Sequence, residues 1–127
     1  CGIIVCPSNP FLSVDPILSV HGLKEALIAS KVPIVAVSPL INGQAVKGPT
    51  AKIMKELGLV LSPVSVAAHY QDFINGFILD ETDAEHVAEI TKSGMSVVTA
   101  QTLMASLDDR INLAQTAVNL CDELRGQ

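Results

Sequence analysis

The sequence has few of the residues on which nucleic-acid and membrane proteins depend. It contains no Trp, one Tyr and three Phe, so it lacks the aromatic surface on which unpaired bases stack. Its 8 Lys and Arg against 13 Asp and Glu give a formal charge of −5, which argues against the basic patch that nucleic acids and anionic lipids require. No apolar run approaches the roughly 18 residues of a membrane helix. We expect a cytoplasmic protein with no nucleic-acid partner and no membrane partner.

Cysteine is scarce as well. Cys1, Cys6 and Cys121 have no CxxC spacing, so neither a disulfide framework nor a zinc site is indicated, and we expect reduced, buried thiols. The chain is instead rich in apolar residues, which make up 49% of its 127 positions and give a mean hydropathy of +0.44. That content is enough to bury a core and excludes disorder. We predict a single α/β domain over residues 1–127.

Short β-branched runs alternate with helical patterns, which is typical of a parallel sheet with crossover helices. The predicted fold class is therefore α/β, with an open, mostly parallel, Rossmann-like sheet. Because the chain opens inside a predicted strand, we expect it to be a fragment of a larger domain. The predicted strands are Gly2–Cys6, Ile34–Ser38, Gly76–Asp80 and Ser96–Thr99.

Helical spacing and caps predict the elements between and after the strands. Helices are expected over 21–30, 50–57 and 63–73, and a capping box of Thr82 and Glu85 opens a further one. The longest helix comes last, and a small residue in its apolar face, Ala114, is expected to allow a close approach to the sheet. The face expected to pack consists of Met104, Leu107, Ile111, Ala114, Val118 and Cys121.

Ligands of open parallel sheets bind beyond the carboxyl ends of the strands, and polar groups follow each predicted strand there. The most informative is the turn Pro7-Ser8-Asn9-Pro10. Two prolines hold the Ser8 hydroxyl and the Asn9 amide with little entropy left to lose, which suits a phosphoryl oxygen. An equally supported reading is an Asx or Ser/Thr turn that satisfies local backbone, and Ser13 fits either arrangement.

Other polar residues have weaker patterns. Pro39–Pro49 has neither helical nor strand period, so we expect a long binding loop there. Within it, Lys47 and Gly48 before a predicted helix are compatible with phosphate binding or with a solvated loop. Asp80 and Asp83 could hold Mg²⁺ through water or contact a ribose, although a helix dipole explains Asp83 better.

An ordered set of short motifs extends over nearly the whole chain: Pro7–Pro10 with Ser13 and Pro16–Leu18, Val35–Pro39, Gly48-Pro49, His69-Tyr70, Phe77–Asp80 and Thr102–Met104. In order and spacing, this set resembles the C-terminal half of the 2-phospho-L-lactate transferases of coenzyme F420 biosynthesis. Departures from the family pattern are Asp15, His21 and Gln101. From its residues alone, the His69-Tyr70 pair is a satisfied, partly buried pair rather than a catalytic base.

The resemblance implies an enzyme that transfers a phosphoacyl group from a guanosine diphosphate ester to the deazaflavin FO, releasing GMP, with Mg²⁺. Ser8 and Asn9 would be the catalytic contacts to the diphosphate or acyl phosphate. The metal ligands are not assigned to residues of this chain, and we expect the isolated chain to be inactive. The substrate-binding candidates are Pro7, Pro10, Ser13, Ser38, Lys47, Gly48 and Thr102.

Two other classes of protein are alternative interpretations of the sequence. A homodimer is possible for any of them. A non-catalytic nucleotide-sugar-binding regulator of the same superfamily would share the fold. It ranks second because those proteins carry a Pro-Gly-Ser type of turn where this chain has Pro7–Pro10. A phosphoacceptor receiver domain needs an acidic pair after the first strand, where Cys6-Pro7 stands.

Overall fold

A computed structural model describes residues 2–46 and 48–127; Cys1 and the candidate Lys47 lie outside the described residues. The main sheet has four parallel strands in the order β1-β2-β5-β6. All four strands stand where the sequence predicted them, and the predicted α/β class is confirmed. The strands are β1 (Ile3–Val5), β2 (Ile34–Val37), β3 (Leu40–Ile41), β4 (Gln44–Ala45), β5 (Gly76–Asp80) and β6 (Ser96–Ala100).

Helices connect the parallel strands, as the crossover pattern requires. A π-helical turn over Pro10–Val14 precedes the first α-helix, and a 3₁₀ segment over Glu81–His86 precedes the fifth. The longest helix is the last, as predicted. The α-helices are α1 (Asp15–Leu18), α2 (Leu23–Ala29), α3 (Thr50–Glu56), α4 (Pro63–Tyr70), α5 (Val87–Thr91) and α6 (Leu107–Arg125).

The predicted capping box of Thr82 and Glu85 is wrong. The residue that caps the 3₁₀ segment is Asp80, whose Oδ1 accepts from the backbone nitrogen of Thr82 at 3.0 Å. The Thr82 hydroxyl donates to the same oxygen at 2.6 Å. A carboxylate at the strand end is the stronger acceptor, so the helical segment begins two residues earlier than the pattern suggests.

The strands β2 and β5 are buried on both faces, because helices cover both sides of the sheet. Alternate residues along β2 face opposite layers. Ile34 and Ala36 pack in the cluster that holds Tyr70 of α4, whereas Val35 and Val37 pack against α6.

The face of α6 that packs on the sheet shares only Cys121 with the predicted one. Leu107, Ile111 and Val118 are exposed, and so is Ala114. Both stripes have the three-four spacing of an amphipathic helix, so the spacing alone could not choose between them. The residues that α6 buries are Leu113, Ala117, Leu120 and Cys121.

The close approach of α6 depends on glycines of the sheet rather than on Ala114. A Cβ at Gly76 would lie 3.0 Å from side-chain carbons of Leu120 and Leu124, and one at Gly2 would lie 2.6 Å from the Cys121 sulfur. Cys121 is buried, which raises its pKa, whereas Cys6 is exposed, contrary to expectation. Within the described residues, no helix is both long enough and apolar enough to cross a membrane.

The segment Pro39–Pro49 is not the structureless loop that was predicted. It holds an antiparallel hairpin in which Leu40 pairs with Ala45 and Ile41 with Gln44. The two turn residues, Asn42 and Gly43, have φ angles of 52° and 64°. Positive φ at both central residues is the requirement of a type I′ hairpin turn, for which Asn-Gly is the preferred sequence.

Candidate functional site

A pocket of about 240 Å³ lies where polar segments follow the carboxyl ends of the strands. We call it the strand-edge pocket. Segments after β1, β2 and β6 reach it, which places it where open parallel sheets bind ligands. Four of the predicted site residues line it: Pro7, Asn9, Ser38 and Thr102.

The side-chain oxygen of Asn9 accepts hydrogen bonds from the backbone, whereas its side-chain nitrogen makes none with the described residues. Its Oδ1 accepts from the backbone nitrogens of Phe11 at 2.9 Å and Leu12 at 3.1 Å. Its Nδ2 is buried and has no hydrogen-bond partner in the described part of the chain. The Asx turn considered from the sequence therefore exists, and it holds a buried donor beside the pocket.

Ser38 is held in place by hydrogen bonds to the backbone, one through its own nitrogen and one through its hydroxyl. It is only 1% exposed. Its backbone nitrogen donates to the Ile78 carbonyl at 2.8 Å, and its Oγ accepts from the Leu40 nitrogen at 3.2 Å. Its hydroxyl therefore has a fixed place in the pocket wall.

The Thr102 hydroxyl is committed to a neighbouring carboxylate. Asp80 Oδ2 accepts from the Thr102 nitrogen and from its Oγ1, both at 3.0 Å. Together with the two bonds from Thr82, these fill the four lone-pair sites of the carboxylate. Burial raises the pKa of Asp80, but the hydrogen bonds from Thr82 and Thr102 outweigh it, so the pKa lies below its usual value.

Asp83 differs from Asp80 because it is only partly satisfied. It is 3% exposed. Its Oδ1 accepts from the Gly43 nitrogen at 2.7 Å, whereas its Oδ2 is buried without a partner among the residues described. Burial raises its pKa, although the bond from Gly43 and the nearby His86 oppose the rise.

These carboxylates do not fit a Mg²⁺ site. The oxygens of Asp80 are filled by protein donors, and Asp83 has one oxygen bound to the hairpin. Within residues 2–46 and 48–127, no group of three His, Cys, Asp or Glu side chains is placed to hold a metal ion. A divalent cation prefers several oxygen ligands, which the described residues do not assemble.

Ser8 and Ser13 are separated from the strand-edge pocket. Both line a different, mainly apolar pocket of about 430 Å³ beside β1. Adjacent residues in an extended segment point to opposite sides, so Ser8 and Asn9 serve different cavities. Pro10 is buried at the first position of the π-helical turn, and Gly48 is exposed with a φ of 76°.

Six residues that line the pocket, including Pro39, are not among the predicted site residues. Thr50, 2% exposed, adds a further polar group at the start of α3. Met104 was expected to fill the core, but it is 40% exposed. A signal was available in the sequence, because Leu103 and Met104 lie three and four residues after the end of β6. The apolar wall of the pocket consists of Ile41, Val46, Leu103 and Met104.

The His69-Tyr70 pair lies elsewhere, and its His69 side chain contacts Asp15. His69 Nε2 is 2.8 Å from Asp15 Oδ1, and its ring centroid lies 4.9 Å from that of Phe11, with the two ring planes tilted by 57°. Tyr70 is 1% exposed, and burial raises its pKa far above the usual value. Neither side chain lines the strand-edge pocket.

Comparison with known proteins gives one consistent family. Residues 2–118 match the family described as 2-phospho-L-lactate transferase CofD. The chain is 41% identical to the 2-phospho-L-lactate transferase of Methanosarcina barkeri and 38% identical to that of Methanocaldococcus jannaschii, each over 96% of this chain. It is 33% identical to the phosphoenolpyruvate transferase of Kitasatospora aureofaciens over 97% of this chain.

The chain is shorter than these proteins. The matched part is 39%, 38% and 39% of the length of the three relatives, in the same order. The resemblance therefore extends along nearly all of this chain but covers about two fifths of each relative.

Proposed function

The chain belongs to the 2-phospho-L-lactate transferase family, and we propose that its strand-edge pocket binds the phosphoryl groups of a guanosine diphosphate ester in coenzyme F420 biosynthesis. The donor ester carries a phosphoacyl group, and the acceptor is the deazaflavin FO. A hydroxyl oxygen of FO forms a bond to the phosphorus that bears the acyl group. The bond from that phosphorus to GMP breaks, GMP keeps the bridging oxygen, and the hydroxyl proton is released.

The observation that carries this proposal is the buried Nδ2 of Asn9, which has no hydrogen-bond partner among residues 2–46 and 48–127. A buried donor without an acceptor costs roughly 1–3 kcal/mol, so it is retained where a ligand completes it. The bonds from Phe11 and Leu12 to Oδ1 fix the amide plane, which keeps the donor directed without a ligand. Phosphoryl transfer depends mainly on such preorganised donors and on positioning.

The electrostatics of the pocket favour an anionic ligand. Among the described residues, Asp80 is the one carboxylate bonded to a pocket residue, and its charge is already met by four hydrogen bonds. Of the residues that line the pocket, none is acidic. A diphosphate therefore meets donor groups of Asn9 and Ser38 rather than an uncompensated negative charge.

The apolar wall formed by Ile41, Val46, Leu103 and Met104 suits the non-phosphate part of the ester. Relatives are named for phospholactate and for phosphoenolpyruvate, so the family name does not choose the acyl group. For this chain the assigned class is a small phosphoacyl group. A cytoplasmic location stays a prediction.

The family resemblance implies Mg²⁺, which would neutralise phosphate charge in such a reaction. The described residues do not supply its ligands, because no three His, Cys, Asp or Glu side chains among them are placed to hold a metal ion. We therefore assign no step to a metal within this chain. Ser8 keeps its predicted role only if the ligand extends to the neighbouring pocket that it lines.

Binding can be tested on the chain itself by titrating the ¹⁵N-labelled protein with GDP. The Asn9 side-chain amide signals should shift with saturation, because Nδ2 gains an acceptor. Asn9→Asp removes these signals and identifies them. It retains the oxygen that caps Phe11 and Leu12, so we expect a folded variant whose GDP affinity falls at least tenfold, the size of one lost hydrogen bond plus charge repulsion.

Asn119→Asp is the matched control, since Asn119 is exposed on α6 and bonded to Gln115. It should bind GDP as the unaltered chain does. Equal affinity of the Asn9→Asp variant would contradict the assignment. Tighter binding of a UDP-sugar than of GDP would favour the nucleotide-sugar regulator instead.

A further inference from the structure

The hairpin turn between β3 and β4 is fastened to the segment that follows β5. The Asn42 nitrogen donates to Thr82 Oγ1 at 3.0 Å, and the Gly43 nitrogen donates to Asp83 Oδ1 at 2.7 Å. Each bond joins residues 40 positions apart in sequence. Two consecutive turn amides are thus held by two consecutive side chains.

The same bonds continue to the opposite wall of the strand-edge pocket. The Thr82 hydroxyl donates to Asp80 Oδ1 at 2.6 Å, and Asp80 Oδ2 accepts twice from Thr102 at 3.0 Å. A continuous set of hydrogen bonds therefore runs from the hairpin turn to Thr102. We call it the strand-end network; its members are Asn42, Gly43, Asp80, Thr82, Asp83 and Thr102.

The two ends of the strand-end network carry the two apolar sides of the pocket. Ile41 precedes the hairpin turn and Val46 follows β4, whereas Leu103 and Met104 follow Thr102 directly. The hairpin strands are two residues long, so their own ladder contributes little stability. The position of Ile41 and Val46 therefore depends on the bonds to Thr82 and Asp83.

We propose that Thr82 and Asp83 are positioning residues that set the separation of the pocket walls and so its affinity for a phosphorylated ligand. The inference rests on the proposed function for the identity of that ligand. Asp83 supports it, because a carboxylate with one buried oxygen unpartnered is a costly way merely to close a turn. Its charge strengthens the bond to Gly43, which fixes the turn more rigidly than a neutral acceptor would.

Thr82→Val tests the proposal, because valine keeps the shape of threonine while losing both the acceptor for Asn42 and the donor to Asp80. We expect faster hydrogen exchange at the Asn42 and Gly43 amides, and shifted methyl resonances of Ile41 and Val46. GDP affinity should fall about tenfold. Thr82→Ser, which keeps the hydroxyl, should restore all three properties.

Thr91→Val is the matched control, because Thr91 is exposed and its hydroxyl donates to the Val87 carbonyl within α5, outside the pocket lining. It should change neither the hairpin amides nor GDP affinity. Should Thr82→Val fail to fold, Asp83→Asn replaces it. That change keeps an oxygen for Gly43 and removes the charge, so Gly43 exchange should rise and affinity should fall by a smaller factor.

Unchanged hairpin exchange and methyl shifts in the folded variants would overturn the proposal. So would altered hairpin signals with unaltered GDP affinity, since the bonds would then serve the hairpin alone. Failure of the unaltered chain to bind GDP would contradict the proposed ligand instead. In that case the methyl shifts of Ile41 and Val46 still decide whether Thr82 positions the pocket wall.

Discussion

Asp80 and Thr102 join the ends of two neighbouring strands by a pair of hydrogen bonds, each 3.0 Å long. Asp80 is the last residue of β5 and pairs in register with Ala100, the last residue of β6. The carboxylate thus reaches two residues past the sheet and takes both the backbone nitrogen and the hydroxyl of Thr102. The bonds hold the start of the segment that leads to Leu103 and Met104, which form part of the pocket wall.

Replacing Asp80 by Asn should destabilise the fold markedly. An amide keeps one acceptor oxygen, so two of the four donors from Thr82 and Thr102 lose their partner and meet an NH₂ group. We expect a loss of about 3 kcal/mol in the free energy of unfolding, measured by urea denaturation at pH 7. Asp72→Asn, at an exposed carboxylate 4.0 Å from Lys24, should cost less than about 0.5 kcal/mol. Equal effects would contradict the role of Asp80.

Acid should weaken the fold through Asp80. Its hydrogen bonds lower its pKa in the folded state below the value near 3.9 in the unfolded chain, despite the opposing effect of burial. The stabilisation is therefore full above pH 4 to 5 and is lost as the pH falls through the folded-state pKa. Urea midpoints between pH 6 and pH 2.5 should fall more steeply for the unaltered chain than for the Asp80→Asn variant. Parallel curves would refute this.

Asp83 should have the opposite pH dependence. Burial raises its pKa, opposed by the Gly43 bond and by His86 and reinforced by the negative charge of Asp80. Its contribution to stability is therefore present at low pH and is lost as the pH rises through the folded-state pKa. Asp83→Asn should remove this loss, so the variant gains stability relative to the unaltered chain between pH 4 and pH 7. A variant that becomes less stable than the unaltered chain as the pH rises over that range would contradict a raised pKa of Asp83.

The orientation of α6 can be tested with two alanine substitutions. Leu113 is 5% exposed and Ile111 is 55% exposed. Leu113→Ala should cost roughly 2–5 kcal/mol in the free energy of unfolding, because it opens a cavity against the sheet. Ile111→Ala should cost under about 1 kcal/mol, since an exposed side chain has few packing contacts to lose. The reverse order would mean that the face predicted from the sequence packs on the sheet after all.

The turn geometry predicts a cost at Gly43. A Cβ there meets no atom within 4 Å, but φ is 64°. Gly43→Ala should therefore destabilise the chain by about 1 kcal/mol through backbone strain alone. Gly126→Ala is the control, because its φ is −75° at the end of α6. That variant should be neutral or slightly more stable. Thermal midpoints of the two proteins give the comparison.

Local patterns were sufficient to predict the main sheet. The strands Ile34–Val37 and Gly76–Asp80 are β-branched or apolar runs bounded by Pro33 and by Asn75, and these signals lie within the segments themselves. The face of α6 was not predictable in this way, because two stripes satisfy the same spacing. The choice was made by Gly76, whose missing side chain admits Leu120 and Leu124.

The hairpin and the pocket depend on contacts between residues that are distant in sequence, so local patterns did not fully predict them. Asn42-Gly43 was a usable turn signal, but two-residue strands have no alternation to support it. Asn9 could be singled out from the sequence because the rigid turn that holds it is formed by neighbouring residues. That Ser8 lines a different pocket depends on the side to which each residue points, which the sequence does not show. The bonds from Asp80 to Thr102 and from Thr82 to Asn42 span 22 and 40 positions, and no pattern within a short window contains them.

The bond between Gly43 and Asp83 also has a consequence for the chemical ageing of the protein. In an Asn-Gly sequence, the glycine nitrogen is the nucleophile that attacks the asparagine carboxamide, closes a succinimide ring and yields aspartate or isoaspartate. Here that nitrogen donates its hydrogen to a buried carboxylate at 2.7 Å, and both residues are fixed in a left-handed turn. The docked hairpin therefore shields one of the two Asn-Gly sequences of the chain from deamidation, and undocking exposes it.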